Sequence, residues 1–154
     1  MEKWPSEDPG CHYIVKGNTI VTWRSGLCKV NIHCLKLGML VEANEMLPDG
    51  QLRIRVNDLA DEEVWRKTEW LCHRYDLISV PYLVWHFLAA VSVPQDRVRL
   101  ASDKKFCEDA SNLKVDAKVY YRPQSTDGKY RAIIKHIGQV PELGPGFFFG
   151  LEVL

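Results

Sequence analysis

Hydrophobic and polar positions along the first half of the chain alternate in short runs, the pattern of half-buried strands. Tyr13-Ile14-Val15 and Thr19-Ile20-Val21-Thr22-Trp23 are β-branched and aromatic, and Gly17-Asn18 and Ser25-Gly26 break them. From Cys28 to Leu35, Lys29 and Asn31 alternate with Val30 and Ile32, which predicts a strand burying Val30 and Ile32. Pro48-Asp49-Gly50 is a turn with a mechanism: proline presets φ and glycine takes the positive-φ position. Leu37–Leu47 and Gln51–Val56 should therefore pair as a hairpin, with Leu52, Ile54 and Val56 on one face and Arg53 and Arg55 on the other.

Asp58 to Arg74 supports two readings. Asp61 can cap a helix with Val64, Trp65, Thr68 and Leu71 or Cys72 at helical spacing. The alternative, preferred here, is a strand at Glu63-Val64-Trp65 followed by a helical turn. Leu77-Ile78-Ser79-Val80 before Pro81 predicts a closing strand, and Tyr82–Val91 a short helix. Asp103–Asn112 is rich in charge and offers little to bury, so residues 101–112 are expected to form a linker. Strands resume at Val115–Tyr121, Tyr130–Ile137 and Phe147–Leu154, separated by a loop at 122–128 and a Pro/Gly loop at 138–146. This divides the chain into a β-rich, barrel-like unit at residues 10–100 and a second small unit at 113–154.

Composition narrows the class. The 154 residues include 20 basic and 20 acidic side chains, so no basic excess invites nucleic acid. With 46% hydrophobic residues the chain can build a core. Five scattered cysteines, an odd number, and an N-terminus without an apolar signal core point to a reducing, cytoplasmic setting. From Leu77 to Pro94 there is no formal charge, but Pro81, Ser79, His86 and Ser92 interrupt a run shorter than a bilayer needs. A buried strand and short helix explain it, and no membrane partner is expected.

The C-terminal segment carries the specific information. Lys129 to Gly138 reads Lys-Tyr-Arg-Ala-Ile-Ile-Lys-His-Ile-Gly, and after a loop comes Gly146-Phe147-Phe148-Phe149-Gly150-Leu151-Glu152-Val153. Gly150 allows close backbone approach, and strand alternation puts Phe148 on one face and Phe147 and Phe149 on the other. Phe148 and the loop glycines can wall an apolar groove. Between Lys114 and His136 six basic residues face two acidic ones, a local charge of +4 that attracts an acidic segment. Aromatic walls beside cations suit a peptide with a terminal carboxylate and an aromatic residue.

This segment, about a quarter of the chain, resembles the opening of a CAP-Gly domain, whose strands read G-x-V-[RK]-[YF]-x-G and G-x-[WF]-x-G-[VIL]-E-L. Lys135, His136 and Gly138 fall on the first pattern, with Ala132 where glycine is usual. Gly146, Phe148, Gly150, Leu151 and Glu152 fall on the second. The resemblance implies a mainly β fold of small SH3-like barrels, the second a partial CAP-Gly domain, with a short helix between. It implies peptide contacts at Phe148, Gly146, Gly150, Lys135 and His136, and structural roles for Gly138, Leu151 and Glu152. The G-K-N-D-G loop of CAP-Gly domains would lie beyond Leu154, so a fragment of a longer protein is expected. The Gly-Phe-Phe-Phe-Gly-Leu-Glu-Val-Leu run and the upstream β-rich region are most similar to CYLD-type deubiquitinases. That implies a chain that recognises acidic tails of the tubulin or end-binding type, or a signalling adaptor, in a parent whose protease domain lies elsewhere. A cytoskeletal CAP-Gly adaptor unrelated to deubiquitination is the alternative.

Residue geometry argues against catalysis and metal binding. Lys16-Gly17-Asn18-Thr19-Ile20 echoes a cysteine-protease box, but Ile20 stands where the nucleophile belongs. Cys11–His12 and Cys72–His73 are sequence neighbours, which a strand sends to opposite faces, the wrong geometry for a thiolate and its base. Cys28, His33 and Cys34, with Cys72 or His73, give a third reading as a small zinc domain, against which stands a C-x5-C spacing without a second pair. Neither a catalytic activity nor a cofactor is expected. Among the tryptophans, Trp23 and Trp85 are assigned to the core, while Trp70 is open between core and ligand cage.

Overall fold

The computed structural model describes residues 11–25, 29–57, 65, 69–123 and 128–154. The protein is mainly β, with two antiparallel sheets and a layer of three helices among the described residues. Strands β1 (His12–Val15), β2 (Thr19–Ser25), β3 (Lys29–Leu35), β4 (Leu40–Met46), β5 (Gln51–Val56), β6 (Trp70–His73) and β7 (Leu77–Ser79) form the larger sheet. Their order is β3-β2-β6-β5-β4-β1-β7, and among the described residues the sheet does not close into a barrel. Helices α1 (Tyr82–Ala89), α2 (Pro94–Ala101) and α3 (Lys104–Ser111) follow. Strands β8 (Lys118–Tyr121), β9 (Tyr130–Gln139) and β10 (Phe147–Val153) make the smaller sheet, in the order β10-β9-β8.

The Pro48-Asp49-Gly50 turn joins β4 to β5 as its chemistry requires: Gly50 has φ +86°, and Met46 pairs with Leu52. Leu52, Ile54 and Val56 are buried together, as the alternation predicts. Val41 and Ala43 face the same core by alternation, and a bulge follows between Ala43 and Glu45. That core gathers Tyr13, Val15, Val21 and Leu35 around Trp65 and Trp70, with Trp23 packed against it. Trp70, left open by sequence, is thus core, 1% exposed.

Strand β1 is buried on both faces, and this links the layers. Tyr13 and Val15 enter the first core; Ile14 and its cross-strand partner Leu40 enter a second one built on the helices. Trp85 of α1 donates its indole N–H to the Tyr13 carbonyl at 3.1 Å. Arg97 of α2 donates to the carbonyls of Leu88, Val91 and Gly38, tying α2 to the end of α1 and to the turn before β4. Guanidinium donors at a helix C-terminus satisfy carbonyls the helix leaves open.

Two expectations are corrected here. Val30 and Ile32 of β3 are exposed, at 48% and 63%, and Asn31, His33 and Leu35 face inward. The β2 register explains this: Leu35 and His33 lie opposite Thr19 and Val21, beside the tryptophan core, and His33 meets Trp65 edge-on at 4.8 Å. The supposed linker at 101–112 contains α3, capped by the Asp103 carboxylate accepting from Phe106 N–H at 3.0 Å. Its Cys107 and Ala110 are buried against the second core, so it has an apolar face after all. The strand proposed at Glu63-Val64-Trp65 lies mostly outside the described residues. The uncharged run from Leu77 to Pro94 becomes β7 and α1, and no described helix is long and apolar enough to cross a membrane.

Candidate peptide-binding surface

The smaller sheet holds the sequence-predicted site. Phe147 pairs with Gln139, Phe148 with Gly138, Phe149 with Ile137 and Gly150 with His136. The register then jumps, Leu151 lying opposite Ile134, which leaves Lys135 in a β-bulge. One face of this sheet turns to α1. Phe147 stacks on the His86 ring at 4.2 Å and Phe149 lies 4.6 Å from Phe87. The opposite face carries Phe148, His136, Gly138 and Gly150.

The β9–β10 register brings these four residues together. A Cβ on Gly150 would come within 3.0 Å of the His136 Cβ, and one on Gly138 within 3.4 Å of the His136 ring. Glycine at both positions therefore makes room for the imidazole beside half-buried Phe148. Lys135 reaches Asp116 at 3.8 Å, with both side chains substantially exposed, so the pair binds weakly and leaves the lysine available. Glu152 is exposed on the same face, opposite Ile133.

Gly146 and Leu151 sit elsewhere. Gly146, at φ +89°, packs under the C-terminal end of α1, where a Cβ would come within 2.5 Å of Ala90 N and 2.7 Å of the His86 carbonyl oxygen. Its place is a joint between strand and helix. Leu151 lies on the Phe149 face, where the two line a cavity of about 300 Å³ with Val119, Tyr121 and Ile134. A second cavity, also about 300 Å³, is lined by Lys118, Tyr120, Arg131 and Leu154. Lys129 Nζ stands 5.4 Å from the centroid of the Tyr120 ring, a cation–π pair on that side. Sequence reasoning counted these cations only in a regional charge. Lys129 and Arg131, two apart leading into β9, with Lys118 on the neighbouring β8, were the signal that could have grouped them.

Behind Phe147 lies a histidine pair. His12, 2% exposed, meets Tyr82 at 5.4 Å and Trp85 at 5.1 Å, both edge-on. Burial lowers its pKa. His86 is pushed down to about 4 by burial and then by His12. Neutral His86 therefore contributes stability that is complete above the ordinary value of 6.5 and is lost as pH falls towards 4, and the lowered pKa of His12 acts in the same direction. Thermal unfolding should show a melting temperature that declines over that interval, and His86→Phe should flatten the decline. An unchanged slope in the variant would remove His86 from the account.

Other sequence candidates separate. Cys11 precedes β1, so alternation does not govern it, and its Sγ lies 3.4 Å from His12 Nδ1. The expectation that these neighbours diverge is thereby corrected. The contact is buried, with Cys11 7% and His12 2% exposed. Cys72 is buried while His73 is exposed, and burial followed by Asp76 raises the Cys72 thiol to about 12. Within the proposed zinc set, His33 faces the tryptophans and Cys34 the opposite side of β3, while Cys28 lies outside the described residues. No cluster of three or more His, Cys, Asp or Glu side chains suited to a metal occurs among the described residues.

The chain matches no protein-family model, no curated protein and no solved structure.

Proposed function

We propose that the chain is a protein-recognition module in which the β8–β9–β10 sheet, read as the first strands of an SH3-like CAP-Gly barrel, binds acidic segments of a partner. The observation that supports this is Phe148 set between Gly138 and Gly150 beside His136, on the face of a basic sheet turned away from α1. An aromatic platform with room beside it takes an apolar or aromatic side chain, and the surrounding cations attract carboxylates. In this reading the partner is an acidic tail of the tubulin or end-binding type, or a signalling adaptor. The module serves to localise a larger, CYLD-like deubiquitinase in the cytoplasm, and binding rather than catalysis is its task.

Fluorescence anisotropy with a glutamate-rich, phenylalanine-ended peptide tests the proposal. Phe148→Ala should weaken binding by about 2 kcal/mol, roughly thirtyfold, as expected for an anchor aromatic. Lys135→Glu should mainly slow association and flatten the salt dependence, because rim charges steer more than they hold. Phe147→Ala is the control: packed on His86, it should cost stability and leave affinity near wild type. Unchanged affinity in a folded Phe148→Ala protein would remove the groove.

A further inference from the structure

Strand β8 has a cavity on each of its faces. Lys118 and Tyr120 share one face with their partners Ile133 and Arg131; Val119 and Tyr121 share the other with Ala132 and Tyr130. The first face opens on the cavity lined by Lys118, Tyr120, Arg131 and Leu154. The second opens on the apolar cavity of Leu113, Ile134, Phe149 and Leu151. Val119 and Tyr120 line both, so the two spaces flank one strand.

That strand is an edge. In the order β10-β9-β8, only one side of β8 is hydrogen-bonded, and among the described residues its outer backbone groups meet no other strand. Neither Lys118 nor Arg131 forms an ion pair among the described residues. Glu152 is in the same cross-strand row as Lys118, but with β9 between them the separation is about 10 Å. The cations therefore stand open beside a free edge. An added strand sends successive side chains to opposite faces. Here one face offers positive charge and the other an apolar trough.

We infer that β8 is a strand-addition edge for an extended segment of a partner protein in which acidic and apolar residues alternate. The acidic residues meet Lys118, with Arg131 one strand further in adding to the positive potential, and the apolar ones enter the trough between Leu113 and Leu151. A second copy of this chain fits poorly, because pairing β8 with another β8 sets cation against cation in a region already at +4. The charged side of this edge continues the sheet face that carries Phe148, but Phe148 lies on β10, two strands away, and lines neither cavity.

The test uses the whole chain and three labelled peptides: alternating Glu-Val, a block isomer of the same composition, and alternating Lys-Val. The alternating acidic peptide should bind at least about tenfold more tightly than its block isomer, and it should slow hydrogen exchange in β8. Lys118→Glu combined with Arg131→Glu should lose that binding and gain the Lys-Val peptide. Equal binding of the two isomers, absence of binding, or unprotected β8 amides would each overturn the proposal. So would β8 protection that rises with protein concentration alone, which would give the edge to a second copy. Loss of the phenylalanine-ended peptide in Phe148→Ala, with the charge reversals silent towards Glu-Val, would leave the groove standing and remove only this edge.

Discussion

Replacing Trp85 with alanine is expected to lower folding stability by about 4 kcal/mol, within the range for deleting a buried tryptophan. The residue is 2% exposed and stands where α1 meets β1 of the larger sheet. Its ring touches His12 of β1 at 5.1 Å and His86 of its own helix at 5.0 Å, while its N–H holds the Tyr13 carbonyl. Removing the side chain opens a void between the larger sheet and the helices that rigid backbone on either side cannot fill. Trp85→Phe separates packing from hydrogen bonding: most of the volume remains and the lost donor should cost only about 1 kcal/mol. Urea unfolding of the two variants measures the contrast. A Trp85→Ala cost near that of Trp85→Phe would mean that the second core does not hold the layers together.

The second large effect is expected at Gly146. Valine there has to adopt φ +89° and place its Cβ against Ala90 N, the His86 carbonyl oxygen and Ala89 C at 2.5, 2.7 and 2.9 Å. All three are backbone atoms of α1 or its end, so they cannot swing aside. Strain at a left-handed position and overpacking together should cost about 3 kcal/mol. Gly50 supplies the control, because its φ of +86° is nearly the same but nothing lies within 4 Å of an added Cβ. Gly50→Val should therefore show the backbone penalty alone. Hydrogen exchange should locate the difference: Gly146→Val exposes the β10 amides, whereas β4 and β5 stay protected. Equal costs at the two glycines would show that β10 is not seated on α1.

The elements legible in the sequence were those governed by neighbouring residues. Pro48-Asp49-Gly50 encodes a turn on its own, and alternation over Gln51–Val56 chooses which face is buried. The same logic placed Phe148 opposite Phe147 and Phe149, whereas the register that brings His136 and Gly138 beside Phe148 and Gly150 is set by the pairing of β9 with β10. What escaped depends on distant partners. Val30 and Ile32 have the alternation of a buried face, yet the tryptophan core pulls His33 and Leu35 inward instead. Helix α3 shows only Phe106, Cys107 and Ala110 as apolar contacts among charges, too few to outweigh composition. Its N-cap Asp103 was the overlooked local sign. Gly146 reads as a loop glycine until α1 is seen lying against it.

The central claim is that the smaller sheet receives acidic protein segments. Amide-resolved NMR titration of the full chain with the glutamate-rich, phenylalanine-ended peptide tests it most directly. The account predicts shifts concentrated in β9 and β10 around His136, Gly138, Phe148 and Gly150, weakening as salt is raised. Saturating peptide that leaves those amides unmoved, or that shifts only the seven-stranded sheet, would contradict it.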